Sequence, residues 1–433
     1  MRPDHVYRSS ENLSQPEPRC LVLLTHQFPH DFGDAAFVRN EIEALADEFD
    51  QVRIVSFWSG DEPALPIPDN CSYLGSVGRV TLRRVLRSAL SWTRLRTFMH
   101  TLIRAARARE FHARDDVRAA LVGMVIAHRL TELGARKSRN EALTIYSFWG
   151  VDIAYALPWF ANVHDTVAVR VHRYDLDEES EGYRPLRRAV LGTADALLTI
   201  SESAQRYLRD RYPFIPADRV LVRRLGVTGP DEVSLARKAP PSETLVSCSS
   251  MIPRKRVGLI LAVAAEVARR GRPVTWIHFG DGPEFEEVRS LAERLSAEIP
   301  HFRVHLPGRM PHESILQYHR STPAALFVNL STDEGVPVSA MEAAAHGIPI
   351  VATDVGATRE LVGVEVGSGI LVEPGASVHT VADAVEEVLA SPDCFHPRRI
   401  WSERFDGHRN ASATAMTIAQ ISPRRALFPH RNA

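Results

Sequence analysis

Two carboxylates eight residues apart, Glu334 and Glu342, bracket the segment Glu334-Gly-Val-Pro-Val-Ser-Ala-Met-Glu342, which follows the apolar run LFVNLS and opens a helix. Gly335 frees the turn's backbone, and Pro337 suits a helix start, where its missing N–H does no harm. Amides at such a start, in the Gly335, Val336 and Val338 stretch, can hold a phosphate through aligned dipoles. A carboxylate accepts two hydroxyl donors at once. Glu334 precedes the helix and is expected to face a crevice. Glu342 falls about one and a half turns along it. The plainer alternative makes Glu334 a cap and Glu342 a solvated surface residue. Against it, the helix is otherwise small and apolar (Ala340, Met341, Ala343, Ala344, Ala345), and a buried lone Glu needs a partner.

Of the 52 basic residues, 49 are Arg and three are Lys: Lys137, Lys238 and Lys255. A lysine at a special place is therefore informative. His172 ends the strand-like VAVRVHRYD, flanked by Arg170, Arg173 and Asp175. A lone His is more often a core or capping residue, but a strand end in a predicted crevice favours a functional role, and Asp175 beside it is placed to orient a substrate hydroxyl. Gly33 sits where the first strand turns into its helix, against a phosphate or an acceptor, although such turns also need glycine on steric grounds alone. Gly280-Asp-Gly-Pro283 reads as a turn and lacks the GxGxxG spacing of a dinucleotide site.

These residues need a scaffold. After a polar leader (1–18), short apolar runs at 20–28, 51–58, 142–150, 166–174, 196–201 and 220–227 alternate with helical stretches. Among the latter are two long helices over roughly 80–111 and 115–134, reached by a loop to about 78. A Pro-rich polar stretch, 228–243, reads as a linker. The alternation restarts over 244–400 with six strands, each followed by a helix. Such alternation implies parallel sheets covered on both faces. The fold class is α/β, two Rossmann-like doubly wound domains (19–227 and 244–400) facing across a cleft that should hold the ligand. The segment 401–420 is expected to be a helix anchored by Trp401 and Phe405 that finishes the second domain or crosses back to the first; 421–433 reads as a tail.

The 433 residues carry a net charge of -1, arguing against a dedicated nucleic-acid binder, and four scattered cysteines argue against a disulfide or zinc module. The first 17 residues lack a signal-peptide core, and no apolar run approaches the ~18 residues of a membrane span, so a cytoplasmic location is expected. Residues 79–118 hold eleven Arg and three acids among interleaved Leu, Trp and Phe. That pattern suits either an anionic membrane surface or an Arg-rich helix packed on its own domain.

The segment from Glu334 to Glu342 with the following AAAHGIPIVATDVGATRELV resembles the signature of retaining GT-B glycosyltransferases of the family-4 type. FGDGPEFEEVRSLAERL (279–295), PRKRVGLILAVAA (253–265) and Gly33…FVRNEIEALA also resemble that family, in the same order. The resemblance implies that Glu334 binds hydroxyls of a donor sugar and Glu342 the ribose of its nucleotide. It implies that Lys255 meets the diphosphate and that His172 lines the reaction centre. The family's diphosphate Arg is replaced by Ser250, leaving Arg254 or Arg256 either to supply the charge or to face solvent.

The implied reaction is retaining transfer from a nucleotide-sugar donor to a hydroxyl acceptor by a front-face route, with the donor as substrate and no cofactor. No DxD motif is placed to bind a metal. The acceptor is expected to be a glycan or lipid-linked, in polysaccharide or glycolipid synthesis at the inner membrane face. The rivals are a GT-B nucleotide-sugar epimerase, a sugar phosphorylase, and a non-catalytic scaffold, which Ser250 and Pro337 would permit.

Overall fold

A computed structural model describes residues 18–58, 64–107, 111–138, 140–176, 178, 182–231, 243–322 and 324–423. Most of the leader and tail, the core of the expected linker, and Lys238 lie outside these residues.

The N-terminal sheet is built from β1 (Cys20–Thr25), β2 (Gln51–Ser56), β3 (Cys71–Ser76), β4 (Thr144–Ser147), β5 (Thr166–Val171), β6 (Ala196–Thr199) and β7 (Val220–Val222). Its order is β3-β2-β1-β4-β5-β6-β7, and every pairing is parallel. The second sheet comprises β8 (Glu243–Cys248), β9 (Val274–Phe279), β10 (Phe302–Gly308), β11 (Leu326–Asn329), β12 (Ile350–Thr353) and β13 (Gly369–Val372). Its order is β10-β9-β8-β11-β12-β13, again all parallel. Central strands such as Leu21–Leu24 are apolar on both faces and fully buried, as a sheet with helices on both sides requires.

Three local expectations change. The stretch from 59 to 78, expected to be a loop, contains β3, an edge strand whose polar sequence CSYLGS carries little apolar signal. The single helix expected over 80–111 breaks into α2 (Leu82–Ala89) and α3 (Trp92–Arg107), with Ser91 outside both and Arg94 Nε donating to the Ser88 carbonyl at 2.9 Å. The strand expected over 220–227 stops at Val222, and four residues further on Gly226 passes the returning chain at close range. A Cβ on Gly226 would lie 2.6 Å from the Phe405 carbonyl oxygen and 2.7 Å from Gly407 Cα.

Other helices used below are α1 (Ala35–Glu48), α4 (Ala113–Glu132), α5 (Arg173–Leu176), α6 (Arg187–Thr193), α7 (Val257–Arg269), α8 (His312–Ser321), α9 (Val338–Ala345) and α10 (Gly407–Gln420). Trp401 and Phe405 are buried in the second domain's core, whereas Ala415 and Ile418 of α10 are buried with Leu21, Leu23 and Ile42 of the first. The chain therefore returns to the N-terminal domain. Arg170 secures this return from inside: its guanidinium donates to Glu41 Oε1 at 2.5 Å, to Tyr146 Oη at 2.7 Å and to Thr414 Oγ1 at 3.3 Å. It is fully buried, which makes it a structural cation rather than a neighbour of the reaction centre.

Candidate active site

The C-terminal ends of both sheets meet at the cleft. On the second domain's side, the turn after β11 presents Glu334. Its Oε1 accepts from Lys255 Nζ at 2.5 Å, from Ser331 Oγ at 2.7 Å and from Asn329 Nδ2 at 3.3 Å. Its Oε2 takes no protein hydrogen bond among the described residues. The turn is pressed from behind by Gly356, at φ +56°, where a Cβ would stand 1.8 Å from the Glu334 carbonyl oxygen. Gly356 is thus fixed by both conformation and space.

Lys255 sits in a short turn just before α7. The next residue, Arg256, is held at φ +48° and spends its guanidinium on backbone carbonyls, donating to Leu330 at 2.5 Å and to Pro374 at 2.7 Å. Arg254 is exposed, and its side chain has no partner among the described residues. Of the two candidates to replace the missing cation at Ser250, Arg256 is already committed to the scaffold.

Glu342 is buried on α9, and the partner that its burial demands is His312 of α8, whose Nε2 lies 2.5 Å from Glu342 Oε1. That hydrogen bond holds the imidazole pKa above its ordinary range. Cys248 lies near the same carboxylate, and its thiol is pushed up to about 12, mainly by burial. The amides of Val338 and Ser339 open α9 after Pro337, whereas those of Ala340 and Met341 already donate to the Pro337 carbonyl at 3.2 and 3.1 Å. The Val336 side chain is part of the domain core, so only its backbone is available to a ligand.

On the N-terminal side, His172 follows β5 directly and is 6% exposed. Its backbone N–H donates to Asp175 Oδ2 at 2.7 Å, and its Nδ1 lies 3.4 Å from the same oxygen. Its ring packs on Trp149, with centroids 4.2 Å apart, and Phe148, at 5.1 Å. Burial lowers its pKa, so the ring is neutral near pH 7. With Nδ1–H turned toward Asp175, the unpartnered Nε2 is an acceptor. Asp175 itself is fully buried. Its Oδ2 orients His172, while its Oδ1 has no hydrogen-bond partner among the described residues.

Several cleft residues carry no recognisable motif. His26, at the end of β1, stacks on Trp149 with centroids 4.8 Å apart and lies 3.5 Å from Asp152. Burial raises the Asp152 carboxyl and lowers the His26 imidazole. Asp34 ties the β1–α1 turn together, accepting from the backbone N–H of His26 at 2.6 Å and from Trp149 Nε1 at 3.0 Å. Gly33 is exposed in that turn at φ +61°, and a Cβ there would meet Gln27 Oε1 at 2.4 Å, so its conformation alone accounts for glycine.

The two sides touch. Arg173, next to His172, pairs with Asp333, next to Glu334. A Cβ on Gly335 would lie 3.6 Å from Arg173 Cβ and 3.7 Å from Ile200. Further along the interface, Glu360 accepts from the Ser203 N–H at 3.0 Å and from Arg224 at 2.8 Å.

This architecture defines the GT-B fold, two Rossmann-like domains with a cleft between their strand ends. Structures of the same fold include sucrose-phosphate synthase from Thermosynechococcus elongatus (TM-score 0.65, 16% identity, 93% of this chain and 98% of that one). Anabaena HepE with UDP and glucose is another (TM-score 0.57, 17% identity, 92% and 99%). The family described as glycosyl transferases group 1 matches residues 236–404, the stretch in which most of the motifs lie. Among curated relatives, the alpha-D-kanosaminyltransferase of Streptomyces kanamyceticus is 28% identical over 218 residues, 48% of this chain and 54% of that protein. A GDP-mannose-dependent alpha-(1-6)-phosphatidylinositol monomannoside mannosyltransferase of Mycobacterium tuberculosis is 28% identical over 160 residues, 35% and 39%. The chain thus spans about half or less of the length of these two relatives.

Proposed function

We propose that the protein is a retaining glycosyltransferase that moves a sugar from a nucleotide-sugar donor to a hydroxyl acceptor. The observation that carries this reading is the Lys255–Glu334 contact at 2.5 Å, at the cleft and one residue away from the ion pair that reaches the His172 side. In this reading a donor diphosphate takes Lys255 for itself. A compact ammonium, the amides of Val338 and Ser339 at the start of α9 and the uncommitted Arg254 then meet the charge on the leaving group. Glu334, released from Lys255 and still held by Ser331, offers both oxygens to sugar hydroxyls. Glu342 exchanges His312 for ribose hydroxyls, and Nε2 of neutral His172 accepts a sugar hydroxyl at the reaction centre. The anomeric C–O bond to the diphosphate breaks while the acceptor oxygen bonds on the same face, and the acceptor proton passes to the departing phosphate oxygen. Closing the cleft would exclude water and suppress donor hydrolysis.

The acceptor in this reading is a glycan or lipid-linked alcohol in polysaccharide or glycolipid synthesis, met at an anionic membrane surface through 79–118. In support, Leu82, Leu86 and Leu90 form an exposed stripe on and just beyond α2, continued by Trp92, among arginines. Among the described residues no helix is long and apolar enough to cross a membrane. Co-sedimentation with anionic but not neutral liposomes at low salt tests this part.

The catalytic reading is tested by incubating the protein with a panel of nucleotide sugars and following nucleoside diphosphate release. One donor should be consumed, and Glu334→Ala and Lys255→Ala should each abolish turnover in folded protein. Near-normal release by both variants would remove the assignment.

A further inference from the structure

Beneath α3 the N-terminal domain forms a half-open cavity of about 550 Å³, a size suited to a small ligand. It does not belong to the cleft. It lies behind the α5 turn that carries Asp175, and Arg187, at the start of α6, faces it. Arg187 is 6% exposed. One of its nitrogens donates to the Asp175 carbonyl, while Nε and Nη1 have no hydrogen-bond partner among the described residues.

Among the described residues, the two acids in the wall are already engaged. Asp116 accepts from Tyr183 Oη at 2.8 Å and from the Leu186 N–H at 2.9 Å. Glu178 accepts from Tyr212 Oη at 3.0 Å. Leu186, a buried leucine held at φ +54°, fixes the backbone from which Arg187 projects.

A buried guanidinium with three unfilled N–H donors is costly to keep without an anion, and its planar fork matches phosphate oxygens. Leu157, Pro158 and Ala161 make the apolar wall of the lining. We propose that this cavity binds a phosphate-bearing ligand, with Arg187 holding the phosphate and the apolar wall holding its carbon portion. The site is separate from the donor cleft and does not depend on the function proposed above. Through the Asp175 carbonyl it adjoins the turn that orients His172.

The test is calorimetric titration of the full chain with inorganic phosphate, with dihexanoyl phosphatidic acid below its micelle concentration, and with uncharged dihexanoylglycerol. At least one phosphate probe should bind saturably, with the glyceride weaker. Preference for phosphatidic acid assigns a lipid-type ester, and preference for inorganic phosphate assigns a free phosphate; both support the site. Arg187→Met should weaken binding at least about tenfold. Ala105→Trp, which narrows the cavity and leaves Arg187 intact, should do the same and covers the case in which Arg187→Met does not fold. Equal binding by wild type and a folded variant, stronger binding of the glyceride, or no binding of either phosphate at millimolar concentration overturns the proposal. UDP and GDP titrations on the same samples report the donor cleft separately, so failure there bears on the proposed function alone.

Discussion

The two walls of the cleft are built on opposite plans. The second domain's wall is made of charges that hold one another in hydrogen-bonded pairs (Lys255 with Glu334, His312 with Glu342). The N-terminal wall is made of neutral or burial-shifted groups stacked among aromatic rings, His26 and His172 against Trp149. A pair of opposite charges is ready to be exchanged for a polar, charged ligand at little reorganisation. A buried imidazole with one filled nitrogen instead offers a single fixed acceptor. The first wall suits a diphosphate and its sugar, the second the precise seat of a reacting carbon. The contrast predicts that removing a charge on the second domain's wall costs far more than removing a hydrogen bond on the N-terminal one.

The largest effect should come from Glu334→Gln, which keeps the shape and removes the charge. Turnover is expected to fall about 10²–10³-fold, roughly 3–4 kcal/mol of transition-state stabilisation, measured on the donor consumed in the panel. Gly356→Ala comes next. A Cβ 1.8 Å from the Glu334 carbonyl at a φ of +56° should cost about 1–3 kcal/mol of stability and lower activity together, read from thermal melts and rates. His172→Asn should lower turnover only about tenfold, the worth of one neutral hydrogen bond. A loss as deep as that of Glu334→Gln would erase the contrast between the walls. Asp333→Asn breaks a partly exposed bridge to Arg173 and should raise KM no more than about fivefold.

The smallest effect concerns pH. His312 has a folded pKa raised above its ordinary 6.5 by its hydrogen bond to Glu342. Its stabilisation is therefore complete below the unfolded value and is lost as pH rises through the folded one. The ligand-free protein should lose a small increment of melting temperature as pH climbs through that window, and His312→Ala should flatten the slope there.

The second domain's wall was the more legible in sequence because its chemistry lies in short contiguous segments. Glu334, Gly335 and Glu342 fall within nine residues, and Lys255 stood out in a chain that otherwise uses arginine. The buried strands of both sheets were equally plain, since buried parallel strands read as apolar runs; β3 at the edge was not. The N-terminal wall was less so. His26, Trp149 and Asp152 come together only because β1 and β4 are neighbours, and no local spacing announces that. The choice between Arg254 and Arg256 depended on which guanidinium the backbone claims. The edge strand β3 and the break between α2 and α3 escaped for lack of periodic apolar residues, and the buried role of Asp175 needed the fold of the turn around it.

The central claim is that a nucleotide diphosphate enters the cleft and takes Lys255 from Glu334. Its most direct test is calorimetric titration of UDP and GDP into the wild type and into Lys255→Ala. The wild type should bind one of them saturably, and the variant should bind it at least about tenfold more weakly while melting normally. Equal affinity in the two proteins, or no binding of any nucleoside diphosphate by the wild type, would contradict the account.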